Sequence, residues 1–162
     1  MSPDLKELLA LLNSREIRYL VTGGYALGAH GSPRYTKDLD LWVDATASNL
    51  ANLADVLRSF GFVEAAAKSQ RLLEGRRLLQ IGSEPSRVDF INFADGVDFD
   101  QCYASRFETQ IDGVDTHVIG KDEFIQNKLA SGRLTDLADL ERLGIKPDAA
   151  AIERALRQSK GS

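Results

Sequence analysis

Apolar positions along this chain recur in two rhythms, a helical one of three to four residues and a strand-like one of two, and the switches between them mark out the elements. Ser2 and Pro3 precede Leu5, Leu8, Leu9 and Leu12, so a capping hydroxyl and a first-turn proline open a helix with one leucine stripe. Residues 18–22 then read as a strand, 25–30 as a short helix, and 39–43 as a second strand. Helical spacing returns over 48–60, where Leu50, Leu53, Val56, Leu57 and Phe60 share a face and Gly61 ends the run. Residues 62–66 and 71–81 are expected to be strands or a hairpin turning at Glu74-Gly75. Glu84-Pro85-Ser86 breaks the chain before a strand over 87–93, and 107–119 reads as a hairpin around Asp112-Gly113. Helices are expected over 121–131, 135–143 and 147–158. The order predicts an α/β (α+β) fold in one domain, residues 1–162. A mixed sheet core occupies about 17–119, helices pack on it, and a helical extension follows over about 121–158.

Within that frame the segment YLVTGGYALGAHGSPRYTKDLDLWV carries the chemistry. A strand sends alternate side chains to opposite faces, so Asp38 and Asp40 emerge together, roughly 7 Å apart along the chain. Leu39, Leu41 and Val43 point the other way, into a core. Two carboxylates that approach to about 4 Å repel by roughly 4 kcal/mol at an effective dielectric near 20. A divalent cation removes that repulsion, and Mg²⁺ favours a few carboxylates together with phosphate oxygens. Gly23-Gly24 follow the first strand and open the short helix, where backbone N–H groups suit a phosphate. The pattern predicts a metal-dependent nucleotide site.

The same residues resemble the nucleotidyltransferase superfamily with the DNA polymerase β-like core. Gly23-Gly24 match its glycine pair, 13 residues follow, and Asp38-Leu39-Asp40-Leu41 complete the motif. The spacer is at the long end for the family, and Thr22 stands where an apolar residue is usual. Arg34 and Thr36 resemble the R-x-T-x-D-x-D form of small bacterial members, which include antibiotic nucleotidyltransferases and abortive-infection toxins. Val88-Asp89-Phe90 matches the third carboxylate strand, and FIQNKLASGRLTDLADLERL resembles the helical segment of those small members.

The resemblance implies Mg²⁺ (or Mn²⁺) held by Asp38, Asp40 and Asp89, with Asp89 also orienting or deprotonating the attacking hydroxyl. It implies backbone contacts to phosphate from Gly23 and Gly24, charge neutralisation by Arg34 and Lys37, loop positioning by Thr36, and a distal phosphate contact from Lys128. The expected partners are a nucleoside triphosphate and a hydroxyl acceptor, whether RNA, protein or small molecule, in a toxin–antitoxin or phage-defence setting. A protein partner is also in view. The competing class is a nucleotide-binding or antitoxin-like interaction module on the same fold. Against it stands the set of three carboxylates on two strands.

Composition narrows this further. Hydrophobic residues make up 43% and charged residues 27%, the proportions of a soluble globular protein. A net charge of −4 lacks the overall basic footprint of a general nucleic-acid binder, although Lys68, Arg71, Arg76 and Arg77 cluster locally. Cys102 stands alone, so no internal disulfide forms, and no run approaches the length of a membrane span. A cytoplasmic location without membrane contact is the expectation. Asp95, Asp98 and Asp100 read as loop aspartates, Asp136 and Asp139 as a local helix pair near Arg133, and His30 as structural. No P-loop motif is present.

Overall fold

The computed structural model describes residues 1–161; Ser162, the last residue of the expected domain, lies outside them. Helix α1 (Pro3–Ser14) begins at Ser2, whose hydroxyl accepts the Leu5 N–H, and buries Leu5, Leu8, Leu9 and Leu12. Strand β1 (Tyr19–Thr22) is buried throughout and runs directly into α2 (Gly23–Ala29). Strand β2 (Asp38–Val43) alternates as expected: Leu39 and Leu41 are fully buried, while Asp38 and Asp40 are partly exposed. Helix α3 (Ala47–Ser59), capped by Thr46, covers the apolar side.

Strand β4 (Arg87–Ile91) lies parallel to β2, and the edge strand β3 (Leu78–Ile81) pairs antiparallel with β4. The hairpin β5 (Phe107–Ile111) and β6 (Val114–Val118) closes the other end, with β6 parallel to β1. Its turn places Asp112 at φ 50° and Gly113 at φ 85°, the paired left-handed conformation that Asp-Gly favours. The mixed six-stranded sheet has the order β3-β4-β2-β1-β6-β5. One large apolar cluster joins α1, α3 and the sheet. A smaller one, built on Leu137, Leu140 and Ala155, holds the C-terminal helices together.

Three expectations need correction. Residues 62–66 form no strand: Val63–Lys68 is helix α4, followed by a 3₁₀ turn at Ser69–Leu73. The run Glu64-Ala65-Ala66-Ala67-Lys68 consists of strong helix formers, and alanine offers little to fill a sheet face. Only Leu78–Ile81 of the 71–81 segment is extended, so Glu74-Gly75 closes no hairpin and β3 finds its partner in β4. The stretch read as an aspartate-rich loop contains helix α5 (Phe99–Ala104), with the Asp98 carboxylate capping it by accepting the Gln101 N–H. The remaining helices, α6 (Lys121–Ser131), α7 (Leu134–Arg142) and α8 (Ala149–Lys160), fall where helical spacing placed them.

Candidate active site

One cross-strand row builds the centre. Thr22 on β1 pairs with Asp40 on β2, Asp40 with Asp89 on β4, and Asp89 with Gln80 on β3. Strand parity sends the intervening Leu39, Leu41, Val88 and Phe90 into the core, so the polar row faces away from it. Asp89 is only 8% exposed, and its Oδ1 accepts a 2.8 Å hydrogen bond from Gln80 Nε2. Asp40, by contrast, has no hydrogen-bond donor among the described residues. Burial, followed by the charges of Asp89 and Asp38, pushes its pKa up to about 6, against the pull of Lys128 and Arg34. Two carboxylates thus face each other across adjacent strands with little compensation.

Asp38 behaves differently. The next row of the register sets it opposite Arg87, whose Nη2 donates to Asp38 Oδ2 at 2.6 Å while Nε lies 2.5 Å from Oδ1. The second contact is ionic rather than an aligned hydrogen bond. Arg87 lies two residues before Asp89, and residues two apart on a strand share a face, so it points into the same site. It also lies 3.8 Å from Glu84, which in turn pairs with Lys37 at 3.4 Å. Lys37 is therefore engaged at the rim.

These carboxylates open into a cleft of about 550 Å³, lined also by Thr22, Gly23, Arg34, Arg76, Phe93 and Lys128. Gly23 sits at φ +62°, and a Cβ there would lie 2.2 Å from Asp40 Oδ2, so only glycine lets the chain turn this close to the carboxylate. Gly24 plays a packing part: a Cβ on it would meet Thr36 Cβ at 2.7 Å. Thr36 Oγ1 donates to the Asp38 carbonyl at 3.1 Å, holding the loop at the start of β2. Gly24 and Thr36 line a separate recess beside Tyr25 and Gln110 rather than the cleft.

A buried ionic network forms the far wall. Arg34 grips Asp139 through Nε (2.8 Å) and Nη2 (3.1 Å), and Lys128 Nζ lies 3.1 Å from both Asp136 and Asp139. Asp136 also receives the Arg133 side chain and backbone N–H. Asp136 and Asp139 are 1% and 2% exposed. Burial disfavours their charged forms, but the donors from Arg133 and Lys128 at Asp136, and from Arg34 and Lys128 at Asp139, outweigh it and lower both pKa values. The expected local pairing with Arg133 holds at Asp136, but Asp139 is held by Arg34 and Lys128 instead, so the two aspartates also tie α6 and α7 to the loop before β2. One signal was available: Asp136, Leu137, Asp139 and Leu140 form a single inward stripe on α7.

Of the basic cluster noted in the sequence, Arg76 alone lines the cleft, stacked 4.0 Å over Phe93 and paired with Asp95 at 2.7 Å. Asp100 faces Arg18 at 3.2 Å, away from the cleft. His30 Nε2 makes a 2.7 Å hydrogen bond with the Ile119 carbonyl, the structural part expected of it.

A match to the aminoglycoside-2''-adenylyltransferase family spans residues 4–124, well over half of the chain and all of the carboxylate strands. The chain belongs to that family. No curated protein matches it in sequence. Among solved structures it is similar to a candidate nucleotidyltransferase of Thermotoga maritima, at 13% identity and TM-score 0.56, covering 86% of this chain and 89% of that one. It is also similar to an antigenic nucleotidyltransferase-like protein of Paracoccidioides brasiliensis, at 18% identity and TM-score 0.52, covering 97% and 87%. Family and fold together are those of a nucleotidyltransferase enzyme, a class that uses nucleoside triphosphates and generally divalent metals. No helix among the described residues is long and apolar enough to cross a membrane.

The donor set can be tested against such a metal. Among the described residues no group of three or more His, Cys, Asp or Glu converges closely enough to hold an ion. Asp40 and Asp89 nonetheless fit a cation, since they face one another and Asp40 lacks any donor. Asp38 fits only after exchanging Arg87.

Proposed function

We propose that this protein transfers a nucleoside monophosphate from a nucleoside triphosphate to a hydroxyl of an acceptor. The observation that carries this reading is the Asp40–Asp89 pair, two carboxylates in one cross-strand row, of which Asp40 has no donor among the described residues, beside a glycine that admits close approach. Asp40 and Asp89, joined by Asp38, would hold Mg²⁺ or Mn²⁺. When bound, the cation supplies charge neutralisation for the phosphate oxygens. Asp89 accepts the proton of the acceptor hydroxyl as its oxygen bonds to the α-phosphorus; the bond to the β-phosphate oxygen breaks and pyrophosphate departs. Gly23, by lacking a side chain, leaves room for the Asp40 carboxylate and would let a phosphate approach the backbone. Arg34 and Lys128 fix the cleft wall through Asp139 and Asp136 and add positive potential toward the triphosphate.

The family name points to an aminoglycoside as the first acceptor to test, with RNA and protein next, as in a toxin–antitoxin or phage-defence role. A buried, unpaired Cys102 and a triphosphate donor suit the cytoplasm. One observation favours a second reading, that of a nucleotide-binding interaction module without turnover: Asp38 is already neutralised by Arg87. The deciding experiment incubates the protein with each α-labelled nucleoside triphosphate and Mg²⁺, together with aminoglycosides or a cell extract. Label appearing on a small molecule, RNA or protein supports transfer. Nucleotide binding without labelled product in any fraction favours the module.

A further inference from the structure

The pairing of Asp38 with Arg87 has no part in the transfer chemistry above, and the register of the sheet builds it in. Asp38 and Arg87 are direct partners on parallel strands, one row from Asp40 and Asp89. Both Asp38 oxygens lie against the guanidinium, at 2.5 and 2.6 Å. Arg87 is braced from behind by Glu84, and Glu84 by Lys37, so a chain of alternating charge runs from the rim to the carboxylate row. A guanidinium stays charged throughout the working pH range, and a cation therefore meets Arg87 as a permanent competitor for Asp38. Both partners keep about a quarter of their side chains exposed (29% and 23%), so the pair can open without unfolding the sheet.

We infer that Arg87 is a positioning residue that competes with the divalent cation for Asp38, so that the three-carboxylate centre assembles only by exchanging the Asp38–Arg87 contact for metal. The inference rests on the nucleotidyl-transfer reading of the same carboxylates. Without metal, Arg87 relieves the repulsion among Asp38, Asp40 and Asp89. With metal, the same guanidinium must leave, which weakens the affinity for a bare ion. Removing Arg87 therefore strengthens metal binding even though it deletes a contact.

The test is a Mn²⁺ titration followed by electron paramagnetic resonance, without nucleotide and without turnover, on folded protein checked by circular dichroism. Arg87→Gln is expected to bind Mn²⁺ on the order of tenfold more tightly than wild type, the scale of one charge-assisted contact. Arg87→Lys, which keeps the charge and loses the fork, falls between and carries the test if Arg87→Gln does not fold. Adding Asp38→Asn to either variant abolishes the gain. Equal or weaker Mn²⁺ affinity in both Arg87 variants, with binding still lost in Asp40→Asn, overturns the competition and leaves the metal-site reading standing. Absence of saturable Mn²⁺ binding in wild type and in every variant overturns both.

Discussion

Replacing Asp40 by asparagine should stabilise the metal-free protein while it destroys function, and the size of the effect can be worked from the site. Burial and the neighbouring Asp89 and Asp38 charges hold the Asp40 pKa at about 6, against the ordinary aspartate value of 3.8. At about 1.36 kcal/mol per pKa unit, the ionised side chain then costs the folded state on the order of 3 kcal/mol well above pH 6. The folded protein binds the Asp40 proton more tightly than the unfolded chain does. Wild-type stability from this group therefore recovers as pH falls from about 6 to about 4, and the penalty is gone below both values.

Asparagine keeps the shape and removes the charge. Its gain over wild type should be largest at pH 7–8, smaller at pH 5, and absent near pH 4. For a chain of this size each kcal/mol moves Tm by roughly 2–4 °C, so several degrees are expected in chelator-treated protein at pH 8. Paired thermal melts across that pH range, followed by calorimetry, read the difference directly and cancel the titration of groups distant from Asp40. An Asn variant that melts below wild type at pH 8, or a gain that persists unchanged at pH 4, would refute the view of Asp40 as an under-compensated carboxylate.

Three further outcomes are expected. Asp89→Asn should lower transfer by a factor on the order of 10² or more with a native circular dichroism spectrum, because it removes the proton acceptor and one charge from the centre; full activity would exclude Asp89 from the reaction. Lys128→Ala should destabilise the fold by roughly 3 kcal/mol, since it strips a donor from two buried carboxylates that retain Arg133 and Arg34. Urea titration checks this, and a loss under about 0.5 kcal/mol would mean that the two arginines suffice. Gly23→Ala should lower activity far more than stability: the left-handed backbone costs about 1–2 kcal/mol, but the new Cβ must displace the Asp40 carboxylate it would otherwise meet at 2.2 Å.

The chain by itself determined everything that depends on neighbours close in sequence. Period-two alternation in Asp38-Leu39-Asp40-Leu41 and Val88-Asp89-Phe90 settles which side chains reach the core and which face the cleft, and leucine spacing settles α1 and α3. Asp112-Gly113 sets a hairpin through backbone conformation alone. Local pattern misled where apolar content was not decisive, as at 62–66, where helix-forming alanines occupy what had been read as a strand. Partner choice across the sheet belonged to the tertiary structure. Asp40 meets Asp89, and Asp38 meets Arg87, only through the parallel register of β2 with β4, and a one-residue slip would have turned those side chains into the core. Arg34 and Asp139 are 105 residues apart in sequence. No periodicity in either segment selects the other, because ionic attraction acts through space once α6 and α7 have docked, and any of several arginines would have read equally well as its partner. The sequence therefore determined the carboxylates and their faces, while the fold decided which of them stand uncompensated and which are already paired.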